Sequence, residues 1–107
     1  MDKSFLVSGK CFVESFDIVG LKNLYNEISN FDQEYRLPIE FIYQQIFIHA
    51  CRFNFIEAIK FLFSVYLNMD KIQRMALRQM FYYGKHMLGK EHHDWYTDYI
   101  IKKIRAN

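Results

Sequence analysis

The sequence predicts an all-α protein, one domain over residues 1–107, with five or six helices arranged in antiparallel pairs. Three observations predict it. Apolar residues recur at helical spacing over most of the chain. That pattern is broken by a tight turn at Asn54, with the small residues Ala50 and Ala58 on either side. Finally, separate stretches of the chain resemble each other at a regular interval, as stacked helix pairs require.

Residues 1–15 give the weakest pattern. Phe5 and Val7 alternate like a short strand, Gly9 and Lys10 interrupt, and Cys11-Phe12-Val13 follow. They read either as a shortened first helix or as an irregular cap over the core. Asp17 is a suitable N-cap for the next helix, which fades around Ile28 to Asn30. The stretch Phe16 to Tyr25 aligns with Asn54 to Phe63 at an offset of 38, pairing Ile18 with Ile56, Leu21 with Ile59 and Leu24 with Leu62.

Asn30 to Leu37 is polar and reads as a connection. Pro38 suits the first turn of a helix, where its missing N–H costs nothing. That helix runs to about Phe53, with Ile39, Ile42, Tyr43, Ile46, Phe47 and Ala50 on one face. Asn54 has the chemistry of an N-cap, and Glu57 stands where its carboxylate can reach back to the cap. The helix it would start extends from Phe55 to about Leu67, and Phe55, Ile56, Ile59, Leu62, Phe63 and Tyr66 form its face. Asp70 and Gln73 are a second capping pair, ahead of a helix that Gly89 ends. Within it, Gln79 to Gly84 echoes Gln45 to Ala50 at an offset of 34, which puts Gly84 in the small-residue slot. A polar loop, Lys90 to Asp94, leads to a last helix carrying Trp95, Tyr96, Tyr99, Ile100 and Ile104, with Lys102, Lys103 and Arg105 at its C-terminal end.

The stretch Ala50 to Phe63, A-C-R-F-N-F-I-E-A-I-K-F-L-F, resembles the A-A-x-x-G-H-L-E-I-V-K-L-L-L junction of the ankyrin repeat. It is most similar to the divergent, aromatic-rich ankyrin repeats of large DNA viruses. Two features depart from the family: Gln45-Ile46-Phe47-Ile48 replaces the T-P-L-H entry, and no G-A-D-V-N hairpin follows Phe63. The resemblance implies a short, degenerate ankyrin-like helical solenoid without well-formed β-hairpins, acting as a protein–protein interaction module. In ankyrin repeats the two variable residues between A-A and G often contact partners. By that resemblance the partner-binding residues are Arg52 and Phe53 in the central unit, Glu14 and Ser15 in the first, and His86 in the third.

Composition narrows the function classes. Apolar residues are 51% of the chain and charged residues 24%, which excludes a disordered segment. Aromatics reach 19%, with 11 Phe and 8 Tyr, so rings must fill space that small aliphatics usually fill. A net charge of +2 and a pI near 8.5 are too mild for a protein that lives on nucleic acid. The expectation is an intracellular, cytoplasmic protein with Cys11 and Cys51 reduced, given no signal peptide and no membrane-length apolar run.

No residue pattern points to an enzyme or a cofactor. His92 and His93, with His86 and Asp94 nearby, lack the spacing of a metal site and read as a solvated loop. His49 and Cys51 are two apart on a helix and face different ways, so Cys51 reads as a core residue. The cations Lys85, Lys90, Lys102, Lys103 and Arg105 read as solvated helix ends.

One anomaly bears on partners. Phe41 and Ile48 lie off the main face of their helix, and Phe61 and Val65 off that of theirs, so both helices are apolar nearly all round. Either neighbouring helices cover them or a second copy does. The expected partner is therefore another protein of unknown identity, with a homodimer as one form. The alternative function is a homo-oligomeric helical structural protein in which the ankyrin likeness is convergence.

Overall fold

The computed structural model describes residues 3–30 and 39–106, which form six helices and no strand among them. The helices are α1 (Lys3–Glu14), α2 (Ile18–Asn30), α3 (Ile39–Arg52), α4 (Ile56–Leu67), α5 (Lys71–Met87) and α6 (93–106). A 3-10 turn, Lys90–His92, leads into α6, and a π-helical stretch, Thr97–Ile101, interrupts it. The extra residue of that stretch re-phases the helix, so that Tyr96, Ile100, Ile101 and Ile104 are all buried. The expected connection after Asn30 and the helix start at Pro38 lie outside the described residues.

Residues 3–14 settle as a full helix, despite the strand-like alternation of Phe5 and Val7. Gly9 does not break it, because it is a packing residue: a Cβ there would clash with Ile46 Cδ1 on α3. Two caps are found where the sequence predicts them. Asp17 accepts the N–H of Gly20 at 2.9 Å to start α2. Asp70 accepts from Gln73 N–H at 2.8 Å, and the Gln73 side chain accepts in return from the Asp70 N–H.

Asn54 corrects the sequence reading. It is not the N-cap of α4; that position falls to Phe55, which makes no side-chain cap bond. Asn54 instead has φ 52°, the left-handed conformation that closes a helix C-terminus. Its N–H bonds Cys51 O, and the next N–H, of Phe55, reaches back to Ala50 O. Phe16 does the same with φ 55°, its N–H bonding Val13 O and that of Asp17 bonding Phe12 O. Bond for bond, the α1–α2 and α3–α4 turns are one turn used twice, at the same offset that relates the two stretches in sequence.

The helices pack in two layers. In one, α3 lies between α1 and α5; in the other, α2 packs on α4, and α4 meets α6 through Phe63 and Tyr99, 6.0 Å apart. Contacts advance together along both members of each neighbouring pair. Gly9 abuts Ile46 and Glu14 meets His49; Phe47 meets Phe81 and Cys51 abuts Gly84. Helices α1, α3 and α5 are therefore parallel, and each is followed by a helix running back. The α4–α5 connection, residues 68–70, is three residues long, too short for a β-hairpin.

Rings fill the centre, as the aromatic excess demands. Phe81 of α5 contacts Phe47 at 4.9 Å, Tyr66 at 4.6 Å and Phe63 at 5.6 Å, joining α3, α4 and α5. Each edge-to-face pair adds roughly 0.5–1.5 kcal/mol to the area it buries. Two buried phenols find main-chain acceptors, Tyr43 on Leu62 O and Tyr96 on Phe81 O. Of the four off-face residues, Ile48 is buried, and Phe61 and Val65 are half-buried. Phe61 meets the ring of Tyr25 at 5.9 Å and the ammonium of Lys22 at 5.8 Å. Phe41 alone stays in water, 53% exposed.

Candidate partner-binding edge

Parallel stacking brings the C-terminal ends of α1, α3 and α5 to one edge of the molecule. All five sequence-predicted partner residues lie along it: Glu14 and Ser15 at the first helix end, Arg52 and Phe53 at the second, His86 at the third. All five are exposed, Phe53 at 38%. Neighbouring helix axes sit roughly 8–10 Å apart, which sets the spacing between the three positions.

His49, which the sequence reading passed over as a site residue, ties two of these positions together. Its Nε2 lies 2.8 Å from Glu14 Oε2, and its ring centroid is 4.7 Å from that of Phe53. Phe53 is four residues on from His49 and so shares its helix face. The Glu14 contact joins two helices that are distant in sequence and has no local signature. Glu14, His49 and Phe53 thus form a carboxylate, an imidazole and an aromatic ring in a row, with Arg52 next to Phe53 in the chain.

Ser15 contributes differently. Its hydroxyl donates to Cys11 O at 3.0 Å and reaches Phe12 O at 3.4 Å, so it serves the end of its own helix. Arg52 makes no ion pair among the described residues. Asn54 braces the edge: its Oδ1 accepts from Gly89 N–H at 2.8 Å and links the α3–α4 turn to the end of α5.

Other reactive-looking groups are committed to structure. Cys51 is buried, and burial pushes its thiol up to about 12, far from a nucleophilic range. His92 Nδ1 accepts from Trp95 Nε1 at 3.1 Å, and a His93 ring nitrogen lies 3.1 Å from Leu88 O. No group of three metal-ligating side chains forms among the described residues. Lys102 pairs with Asp98 at 2.8 Å, and Lys103 lies over the Tyr99 ring at 5.0 Å. No helix among the described residues is long and apolar enough to cross a membrane.

Comparison with protein-family models, with curated proteins and with solved structures returned no match.

Proposed function

We propose that the protein is a protein–protein interaction module of two to three ankyrin-like helix hairpins, and that it binds another protein along the edge of Glu14, Ser15, Arg52, Phe53 and His86. The observation that carries this reading is the repeated turn. Phe16 and Asn54 adopt the same left-handed conformation and close the same backbone bonds at matched positions of two successive hairpins. Such repetition stacks like helix ends side by side, and the side chains at those ends then form a continuous strip for recognition. The strip offers charge of both signs and an exposed ring, a chemistry suited to the polar and aromatic mixture of protein interfaces.

The test is a paired Arg52→Glu, Phe53→Ala variant. After circular dichroism shows an unchanged helix content, the variant should lose the partners that the wild-type protein captures by proximity cross-linking. A variant that keeps every one of them removes the edge from the binding function.

Self-association is the second reading, favoured by one observation. Phe41 of α3 and Met75 of α5 occupy equivalent positions of their helices and are 53% and 66% exposed. Light scattering on a sizing column decides it: a dimer places a second copy over these residues, and a monomer across all concentrations discards that reading.

A further inference from the structure

Helix α5 carries Lys71, Arg74, Arg78 and Lys85 and no acidic residue in its 17 positions. Three of those cations sit where a helix least favours them. Lys71 and Arg74 fall in or just after the first turn, at the positive end of the helix dipole. Arg74 and Arg78 are four apart, a spacing at which like charges repel. None of the three forms an ion pair among the described residues, and the neighbouring carboxylate, Asp70, is engaged by the N–H of Gln73. The stripe therefore works against the helix that bears it.

The three side chains line one half-open cavity of about 320 Å³, together with Tyr66, Met75 and Ile104 from α4, α5 and α6. That volume lies at the small end of ligand sites, which span roughly 300–1,000 Å³. Arg74, one of the lining residues, has its Nε buried without an acceptor among the described residues. A buried guanidinium N–H is seldom left unpaired, because guanidinium protons are strong donors matched to oxyanions. Tyr66 shares the lining with the cations, and its hydroxyl donates to Arg74 O at 3.4 Å. Burial raises the phenol's pKa while the guanidiniums of Arg78 and Arg74 oppose the rise, so both act on the same hydroxyl.

We infer that Lys71, Arg74 and Arg78 form a binding site for the phosphate group of a small phosphate ester, whose organic part lies on Tyr66, Met75 and Ile104. Two guanidiniums and an ammonium supply the fork and point-charge donors that a dianionic phosphate takes. The three apolar or aromatic lining residues have no role toward inorganic phosphate alone. This site lies on different residues from the proposed partner-binding edge and stands or falls separately from it.

The experiment titrates the full chain, near physiological salt, with phenyl phosphate and with inorganic phosphate. Calorimetry is read together with the nitrogen–proton NMR signal of Arg74 Nε. The expected result is saturable binding that shifts this signal, with phenyl phosphate the tighter ligand. Arg74→Gln and Arg78→Gln should each weaken binding by about tenfold or more, the loss of one charge-assisted hydrogen bond. Arg74→Lys should recover part of it, and Lys85→Gln, outside the cavity, should leave it unchanged. If Arg74→Gln does not fold, Arg78→Gln and the Nε signal carry the test. A second arm uses phosphatidylcholine vesicles containing a phosphatidylinositol monophosphate. Arg78-dependent capture on these vesicles assigns the phosphate to a lipid headgroup, and binding of phenyl phosphate without capture assigns it to a soluble ester. No saturable shift with phenyl phosphate and no capture, or equal binding by Arg78→Gln, overturns the inference.

Discussion

The α1–α2 turn and the α3–α4 turn share one backbone and almost no side-chain chemistry. At the left-handed position one has Phe16 and the other Asn54. Phe16 is 55% exposed and sets its ring against Phe55, at 5.1 Å. Asn54 uses its side chain to hold Gly89. At the next position Asp17 caps its helix by a hydrogen bond, while Phe55 caps nothing and is buried. Three positions before the left-handed residue, Val13 and Cys51 are both fully buried. The terminal turn is held by local polar bonding, and the central turn by packing and by bonds to the next helix pair.

Substitutions at matched positions sharpen that contrast. Phe55→Ala should cost about 3 kcal/mol as a buried ring is lost. Asp17→Ala, at the matching position of the first turn, should cost about 1 kcal/mol as a cap is lost. Equal losses in urea denaturation would erase the distinction between the turns. Asn54→Ala should cost about 1–2 kcal/mol, combining a left-handed penalty with the broken bond to Gly89. Phe16→Gly should stay within about 1 kcal/mol of wild type, since relief of the same strain offsets one lost ring contact.

The matched pair Val13 and Cys51 gives a pH prediction. Burial raises the folded-state thiol to about 12 from an ordinary value of 9.0. Between those values the unfolded chain releases a proton that the folded chain retains, so stability is intact below pH 9.0 and falls as pH rises toward 12. The slope is about 1.4 kcal/mol per pH unit for one such group. Cys51→Val, which copies the first turn into the second, should remove this component from a plot of melting temperature against pH. Burial also raises the phenols of Tyr25, Tyr43 and Tyr96, so a further decline above their ordinary value of 10.0 should persist in the variant. The smallest effect belongs to Glu14→Gln. Its contact with His49 is half open to solvent, so the loss should be about 0–1 kcal/mol and should shrink further in high salt.

Much of the helical order was legible, because caps and apolar spacing are local. Asp17, Asp70 and Gln73 mark helix starts, and the faces of α3 and α4 follow their period. What escaped was set by distant residues. Gly9 reads as an interruption until Ile46 is seen against it, and Asn54 reads as an N-cap until its φ and its bond to Gly89 are known. At the candidate edge, the positions came from a short resemblance, while His49 came only from the stacking of α1 on α3. The cations Lys71, Arg74 and Arg78 of α5 drew no reading from the sequence, because their common cavity depends on Tyr66 and Ile104 from other helices.

The parallel stacking of α1, α3 and α5 also governs how the chain acquires and loses its structure. Each hairpin closes over a few residues, and each new pair docks on the one before it, so no long loop must be closed at once. Low contact order of this kind favours rapid folding. Because α3 packs against α1, α4 and α5, while α1 and α6 lie at the ends, amide hydrogens should exchange slowest in α3 and progressively faster outward. The molecule should then fray from its ends while its centre stays closed.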